Sequence, residues 1–292
     1  MRYYQNSVIC LVYIFSFAVG AVVGSFLNVC IYRLPREMSV VAPPSHCPMC
    51  GQGLAWYDNV PLAGFLLLGG KCRHCGAVIS GRYALVELLT GLLFLVTVYY
   101  FIGLGRFSAP EAGVVLVVVS ALVAGSFIDI ERQIIPDEIT LPGLAVGCLA
   151  GLLFPRIHDT ADPLLGSLAG AVPSHVYGLI ASAAGAAVGG GFIYLTGVLG
   201  KMIFRKEAMG LGDVKLMAMA GAFIGWQKAL MSIILGCCFG ALVGVAIILA
   251  ARRKGSRIPF GPYLSLGIIS VIFFQPHIMS IVRWWQGLIA AG

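Results

Sequence analysis

Four cysteines and two aspartates carry the chemistry this sequence could perform. Cys47-Pro-Met-Cys50 and Cys72-Arg-His-Cys75 are two Cys-x-x-Cys pairs with 21 residues between them. Each pair can turn two thiolates to one side of a tight turn, and two turns complete the tetrahedron of a zinc ribbon. Gly51 and Gly76 directly follow the second cysteine of each pair, where such knuckles call for positive φ. Two disulfides, or thiols without a ligand, are the alternatives; a reducing cytosolic face disfavours the disulfides. Four cysteines leave no open coordination position, so the metal expected here is structural zinc. His46 and His74 are read as bystanders. Cys10, Cys30, Cys148, Cys237 and Cys238 fall in apolar runs and are expected as small packing residues.

The aspartates stand at the edges of other apolar runs, Asp129 in Ser126-Phe-Ile-Asp129-Ile-Glu131 and Asp213 in Gly210-Leu-Gly-Asp213-Val-Lys215. An ionisable group at the centre of a bilayer costs about 2.5–3.5 kcal/mol on insertion scales, so each asks for a reason. One reading is a pair of boundary residues, with Asp213 as a helix N-cap. The other is an aspartyl protease dyad. Gly210 and Gly212 would let an extended peptide lie close to Asp213. Two adjacent carboxylates cannot both ionise and would share one proton. One then activates water while the other protonates the carbonyl or leaving group, with no cofactor. Asp137 could cap the helix after Pro136, and Glu131 and Lys215 could tune the local field. Asp159, Asp162, His158 and His175 fall in an outer loop, where solvated side chains are the common outcome.

The elements that must hold these groups are membrane helices. The 292-residue chain is 59% hydrophobic and 11% charged, with mean hydropathy +0.95, against roughly 25% charged residues in soluble domains. Apolar runs over 8–32, 83–104, 112–130, 139–154, 177–204, 214–226, 229–251 and 261–282 approach or exceed the roughly 20 residues that a bilayer requires. The fourth and sixth are short. The first is too long for a cleaved signal sequence and is expected to remain as a spanning helix. With the N-terminus outside, the cytoplasmic loops hold 14 of the 19 basic residues, among them Arg33, Lys71, Arg82, Arg132, Lys201 and the Arg252–Lys254 cluster. The net charge of +7 therefore reads as topology and contact with anionic lipid. Nucleic-acid binding is disfavoured because the basic residues are scattered over four loops. The fold expected is an all-α polytopic membrane protein of about eight transmembrane helices with a cytoplasmic zinc-ribbon-like loop. Its parts are a first helix over 1–32, a four-cysteine loop over 33–82 and a seven-helix core over 83–292.

Several motifs together resemble the bacterial type IV prepilin peptidases. Gly210-Leu-Gly-Asp213 looks like the GxGD signature of intramembrane aspartyl proteases. Asp129-Ile-Glu-Arg-Gln-Ile-Ile-Pro136-Asp137 resembles the family's first catalytic-aspartate motif. Gly24-Ser-Phe-Leu-Asn28-Val with Arg33-Leu-Pro35 resembles its N-terminal signature, and Arg82-Tyr-Ala-Leu-Val-Glu87 the segment that opens its second helix. The two Cys-x-x-Cys pairs match its cytoplasmic loop, and Pro259-Phe-Gly261-Pro262 a late motif. The resemblance runs from about residue 20 to 265.

It implies an enzyme of the bacterial inner membrane. Such an enzyme cuts the basic leader from type IV prepilins or type II secretion pseudopilins after a Gly, at the cytoplasmic face, with Asp129 and Asp213 as the catalytic pair. It further implies methylation of the new N-terminus by S-adenosylmethionine. The residues themselves show no methyl-donor site: there is no GxGxxG run and no soluble domain large enough for a dinucleotide-type fold. Gly189-Gly-Gly191 lies within an apolar run and is read as helix packing. Asn28, Arg82 and Glu87 are candidates for that site, with a helix–helix hydrogen bond, a boundary anchor and an interfacial carboxylate as their structural alternatives. The residues alone also admit a transporter with intramembrane carboxylates, or a non-catalytic zinc-bearing scaffold.

Overall fold

A backbone in hydrocarbon must satisfy its own polar groups, and this sequence does so with helices. In a computed structural model, which describes residues 2–158, 165–168, 170–205, 209–251 and 259–291, the elements are α1 Arg2–Arg33, α2 Ala63–Leu67, α3 Arg82–Thr97, α4 Ala109–Arg132, α5 Asp137–Leu153, α6 Ser174–Phe204, α7 Leu211–Ile224, α8 Trp226–Ala251 and α9 Gly261–Ala291. Eight of these coincide with the expected runs; α2 is a short addition inside the cysteine loop. Six are long and apolar enough to cross a membrane. The two that are not, α5 and α7, correspond to the two short runs. Asp159, Asp162, Lys206 and the Arg252–Arg257 cluster lie outside the described residues.

The chain divides into two compact units, residues 1–128 and 129–292. In the first, α1 packs along α3 through small residues. A Cβ at Gly24 would lie 2.7 Å from Cα of Glu87, and one at Gly20 would lie 2.9 Å from Cα of Gly91. Lipid offers no hydrophobic reward for helix association, so close backbone approach supplies the attraction instead. The outward flanks stay apolar, with Ile14, Phe15, Val22, Phe26, Leu85 and Leu92 exposed. Ser108 and Glu111 open α4 as a capping box: the Glu111 carboxylate accepts the Ser108 N–H at 2.7 Å.

In the second unit α7 is the buried element, packed against α5, α6, α8 and α9. From Leu216 to Ile224 every residue but Ala218 is buried, although the helix is only 14 residues long. Here too glycine sets the spacing. A Cβ at Gly185 would overlap the carbonyl of Gly221, and one at Gly221 would overlap that of Gly185. Gly189 and Gly190 likewise face Met217 and Ala218, which bears out their packing role, while Gly191 meets nothing.

Several details differ from the sequence reading. His158 is not solvated: it is buried, and its Nε2 lies 2.8 Å from Oγ of Ser182, which in turn donates to the Gly147 carbonyl. Among the cysteines of the apolar runs only Cys30 is a buried packing residue, and Cys10, Cys237 and Cys238 face outward. In a membrane protein an apolar side chain is as well served by lipid as by a neighbour, so run membership does not predict packing.

Candidate active site and metal centre

Asp129 lies in the last turn of α4, where the helix leaves its apolar stretch. The chain then turns through Gln133, at φ 56°, and Pro136, whose extended ψ of 143° sets the start of α5. Asp129 is 6% exposed, and its Oδ2 accepts the backbone N–H of Gly261 at 2.9 Å. That N–H belongs to the first residue of α9, whose positive end favours an anion. A Cβ at Gly261 would sit 2.7 Å from the same oxygen, so only glycine permits the contact. In the sequence Gly261 stands out only as part of Pro259-Phe-Gly261-Pro262. No local pattern links it to a carboxylate 132 positions away.

Asp213 is not the N-cap of α7, which is Gly210. It stands three residues on, in the first turn of the helix, where its own N–H donates to the Gly210 carbonyl at 3.2 Å. Asp129 lies near enough for the two carboxylates to repel when both are charged. Ile135 lies between their supports. A Cβ at Gly212 would come within 3.1 Å of Ile135 Cβ, and one at Gly261 within 3.1 Å of Ile135 Cδ1. Gly212 therefore makes room for Ile135 and not for a ligand. Gly210 meets nothing closer than the Asp213 carboxylate, at 3.7 Å, and leaves that side open. Asp137 makes no capping bond either: both of its oxygens accept from Lys215 Nζ, at 2.6 and 2.7 Å, tying the start of α5 to that of α7. Three helix starts (α5, α7 and α9) and one helix end thus converge on two carboxylates.

The four-cysteine loop belongs to the first unit. Its two knuckles repeat one pattern. Cys47 N–H donates to Gln52 O and Gly51 N–H to Cys47 O; Cys72 N–H donates to Ala77 O and Gly76 N–H to Cys72 O. Gly51 and Gly76 take the expected positive φ, 71° and 69°. The four Sγ atoms lie within 4.8 Å of one another and none is in a disulfide. Cys47 Sγ is 3.9 Å from Cys75 Sγ, close to the edge of about 3.8 Å that a tetrahedron with 2.3 Å metal–sulfur bonds requires. The N–H groups of Cys50 and Met49 pull the Cys47 thiol down to about 6. Cys75, although the Ala77 N–H pulls it down, is pushed up to about 11 by desolvation and by its three sulfur neighbours. Four thiolates this close need a cation between them. The cluster can hold a metal ion, and its residues fit a closed four-sulfur site. His46 is not part of it and bonds Pro44 O through Nδ1.

Of the methyl-donor candidates, Asn28 keeps its buried Oδ1 without a hydrogen-bond partner. Asn28 donates to the Tyr83 carbonyl at 3.0 Å, the helix–helix bond that was its structural alternative. Glu87 accepts the Leu62 N–H at 2.8 Å, and the Arg82 guanidinium lies 4.9 Å from the centre of the Tyr83 ring.

Together the long apolar helices, the thiol cluster and the paired carboxylates define a multi-pass helical membrane protein with a four-cysteine module able to hold a metal ion and an acidic site. Residues 18–101 match the bacterial peptidase A24 N-terminal domain, and residues 116–245 match the type IV leader peptidase family. A prepilin leader peptidase/N-methyltransferase of Myxococcus xanthus is 42% identical over 84% of this chain and 65% of its own length. Proteins of the same name from Pseudomonas aeruginosa and Aeromonas salmonicida are 36% and 35% identical, over 85% and 93% of their lengths. No solved structure is significantly similar. The chain belongs to the type IV leader peptidase family.

Proposed function

We propose that this protein is a prepilin peptidase that cleaves the basic leader of type IV prepilins or related pseudopilins after a Gly, using Asp129 and Asp213. The observation that carries this reading is the convergence of the two carboxylates at three helix starts. Two positive helix ends favour negative charge there, while mutual repulsion limits the pair to one. The pair shares a proton: the ionised member takes a proton from water as it attacks the scissile carbonyl, and the protonated member donates its proton to the carbonyl oxygen; the first then passes the water's proton to the leaving amine while the second takes a proton back from the collapsing gem-diol. The Gly261 N–H fixes the Asp129 carboxylate, and the open side at Gly210 admits an extended substrate backbone.

The orientation follows the basic loops, with the N-terminus outside and both the carboxylates and the cysteine loop at the cytoplasmic face of the inner membrane. The loop over 33–82 acts as a structural zinc module, held by Cys47, Cys50, Cys72 and Cys75, on a membrane core over 83–292. Methylation of the new N-terminus by S-adenosylmethionine is proposed from the names of the relatives alone.

The test is cleavage of a prepilin-like substrate with a basic leader and a Gly-Phe junction by purified protein, with product masses read with and without S-adenosylmethionine. Asp129→Asn and Asp213→Asn should each abolish cleavage while inserting and unfolding like the wild type. Normal cleavage by either variant overturns the dyad.

A further inference from the structure

Within the first unit, the segment from Leu62 to Gly70 combines a buried anchor with exposed leucines. Leu62 adopts φ 60°, ψ −50°, a conformation rare for a leucine, and its N–H is held at 2.8 Å by the buried Glu87 carboxylate. In α2, which follows it, Gly64 packs on the backbone of Asp58, and Phe65 turns back to within 3.2 Å of the Cβ position of Gly70. Leu66 and Leu67 point the other way, 74% and 84% exposed. Gly69 and Gly70, both at positive φ, return the chain to Lys71, which is exposed at the start of the second knuckle. A polar loop in water would have no use for two adjacent leucines held outward by a strained, anchored turn.

The anchor sets the height of the segment. Glu87 lies five residues beyond Arg82, where α3 and its candidate span begin, which is about 7.5 Å along the axis at 1.5 Å per residue. Leu62 therefore meets α3 in the second turn of a helix long and apolar enough to cross the bilayer. On that helix Leu85, Leu88, Leu89 and Leu92, on the side turned away from Glu87, are also exposed, so α3 already presents lipid-facing leucines at this level. Basic residues flank it: Arg82 at the head of α3 and Lys71 after α2 suit anionic headgroups. We propose that Leu62–Gly70 is an interfacial lipid anchor, with Leu66 and Leu67 seated at the boundary between headgroups and acyl chains, which fixes the four-cysteine module on the membrane surface. Its occupant is the bilayer, because the exposed leucines stand level with the second turn of a helix long and apolar enough to cross a membrane and carry cationic neighbours. The anchor is independent of the peptidase reading.

The test uses the full chain in nanodiscs containing anionic lipid. Leu67→Trp adds a reporter, read as the difference from the wild-type tryptophan emission. Val78→Trp, at a side chain 82% exposed within the second knuckle, is the comparison. The expected result is that lipids brominated in the acyl chain quench the added Leu67→Trp emission while aqueous iodide does not, and that iodide quenches Val78→Trp. Should Leu67→Trp fail to insert, Leu66→Trp carries the same test. Iodide quenching of both sites, with no effect of brominated lipid, overturns the proposal. Shielding of Leu67→Trp from both quenchers overturns it in favour of a protein partner.

Discussion

Gly261→Ala offers a sharp probe of the site because its effect is confined to one contact. The added methyl would stand 2.7 Å from Asp129 Oδ2 and 3.1 Å from Ile135 Cδ1, both side-chain ends that can move, with no backbone among its closest contacts. The helix can therefore form unchanged while the carboxylate swings aside and loses its 2.9 Å bond to the Gly261 N–H. A hydrogen bond to a charged group contributes about 1.5–3 kcal/mol. If that bond holds Asp129 in its reacting position, turnover should fall about 10- to 150-fold, at about 1.36 kcal/mol per decade. Cleavage kinetics on the purified variant should show the loss in kcat with KM little changed, since leader binding does not use this bond. The thermal unfolding midpoint should stay close to wild type. A wild-type kcat would refute the positioning role, and a loss of activity matched by a lowered unfolding midpoint would reassign Gly261 to packing.

Other substitutions separate the remaining parts. Cys47→Ser or Cys72→Ser should remove one equivalent of bound zinc, measured by metal analysis of the purified chain, because three thiolates leave the cluster open. Gly185→Ala should destabilise the second unit by about 1–3 kcal/mol or more and lower the yield of inserted protein, since its methyl meets the backbone of α7, which cannot rotate away. Lys215→Ala should cost about 0–1 kcal/mol of stability, as the pair with Asp137 is 36% and 52% exposed; denaturation at low and high salt would show the wild type approaching the variant as salt rises.

Much of this protein is determined by sequence that can be read locally. The lengths of the apolar runs set the helices, because a backbone in lipid has no other economical conformation. The spacing of Cys47, Cys50, Cys72 and Cys75, with Gly51 and Gly76 placed for positive φ, specifies two knuckles before any fold is known. Asp129 and Asp213 mark themselves as acids at the edges of apolar runs. The tertiary structure alone decided what those groups touch. The Gly261 N–H on Asp129, Ile135 against Gly212 and the Lys215–Asp137 bridge each join residues tens to more than a hundred positions apart. The burial of His158 and the outward-facing cysteines were equally hidden. The reason is that lipid and protein interior reward the same side chains, so the pattern of apolar residues shows that a helix lies in the membrane but not which face meets a neighbour. Close packing at glycine backbones, which the pattern does not encode, makes that choice.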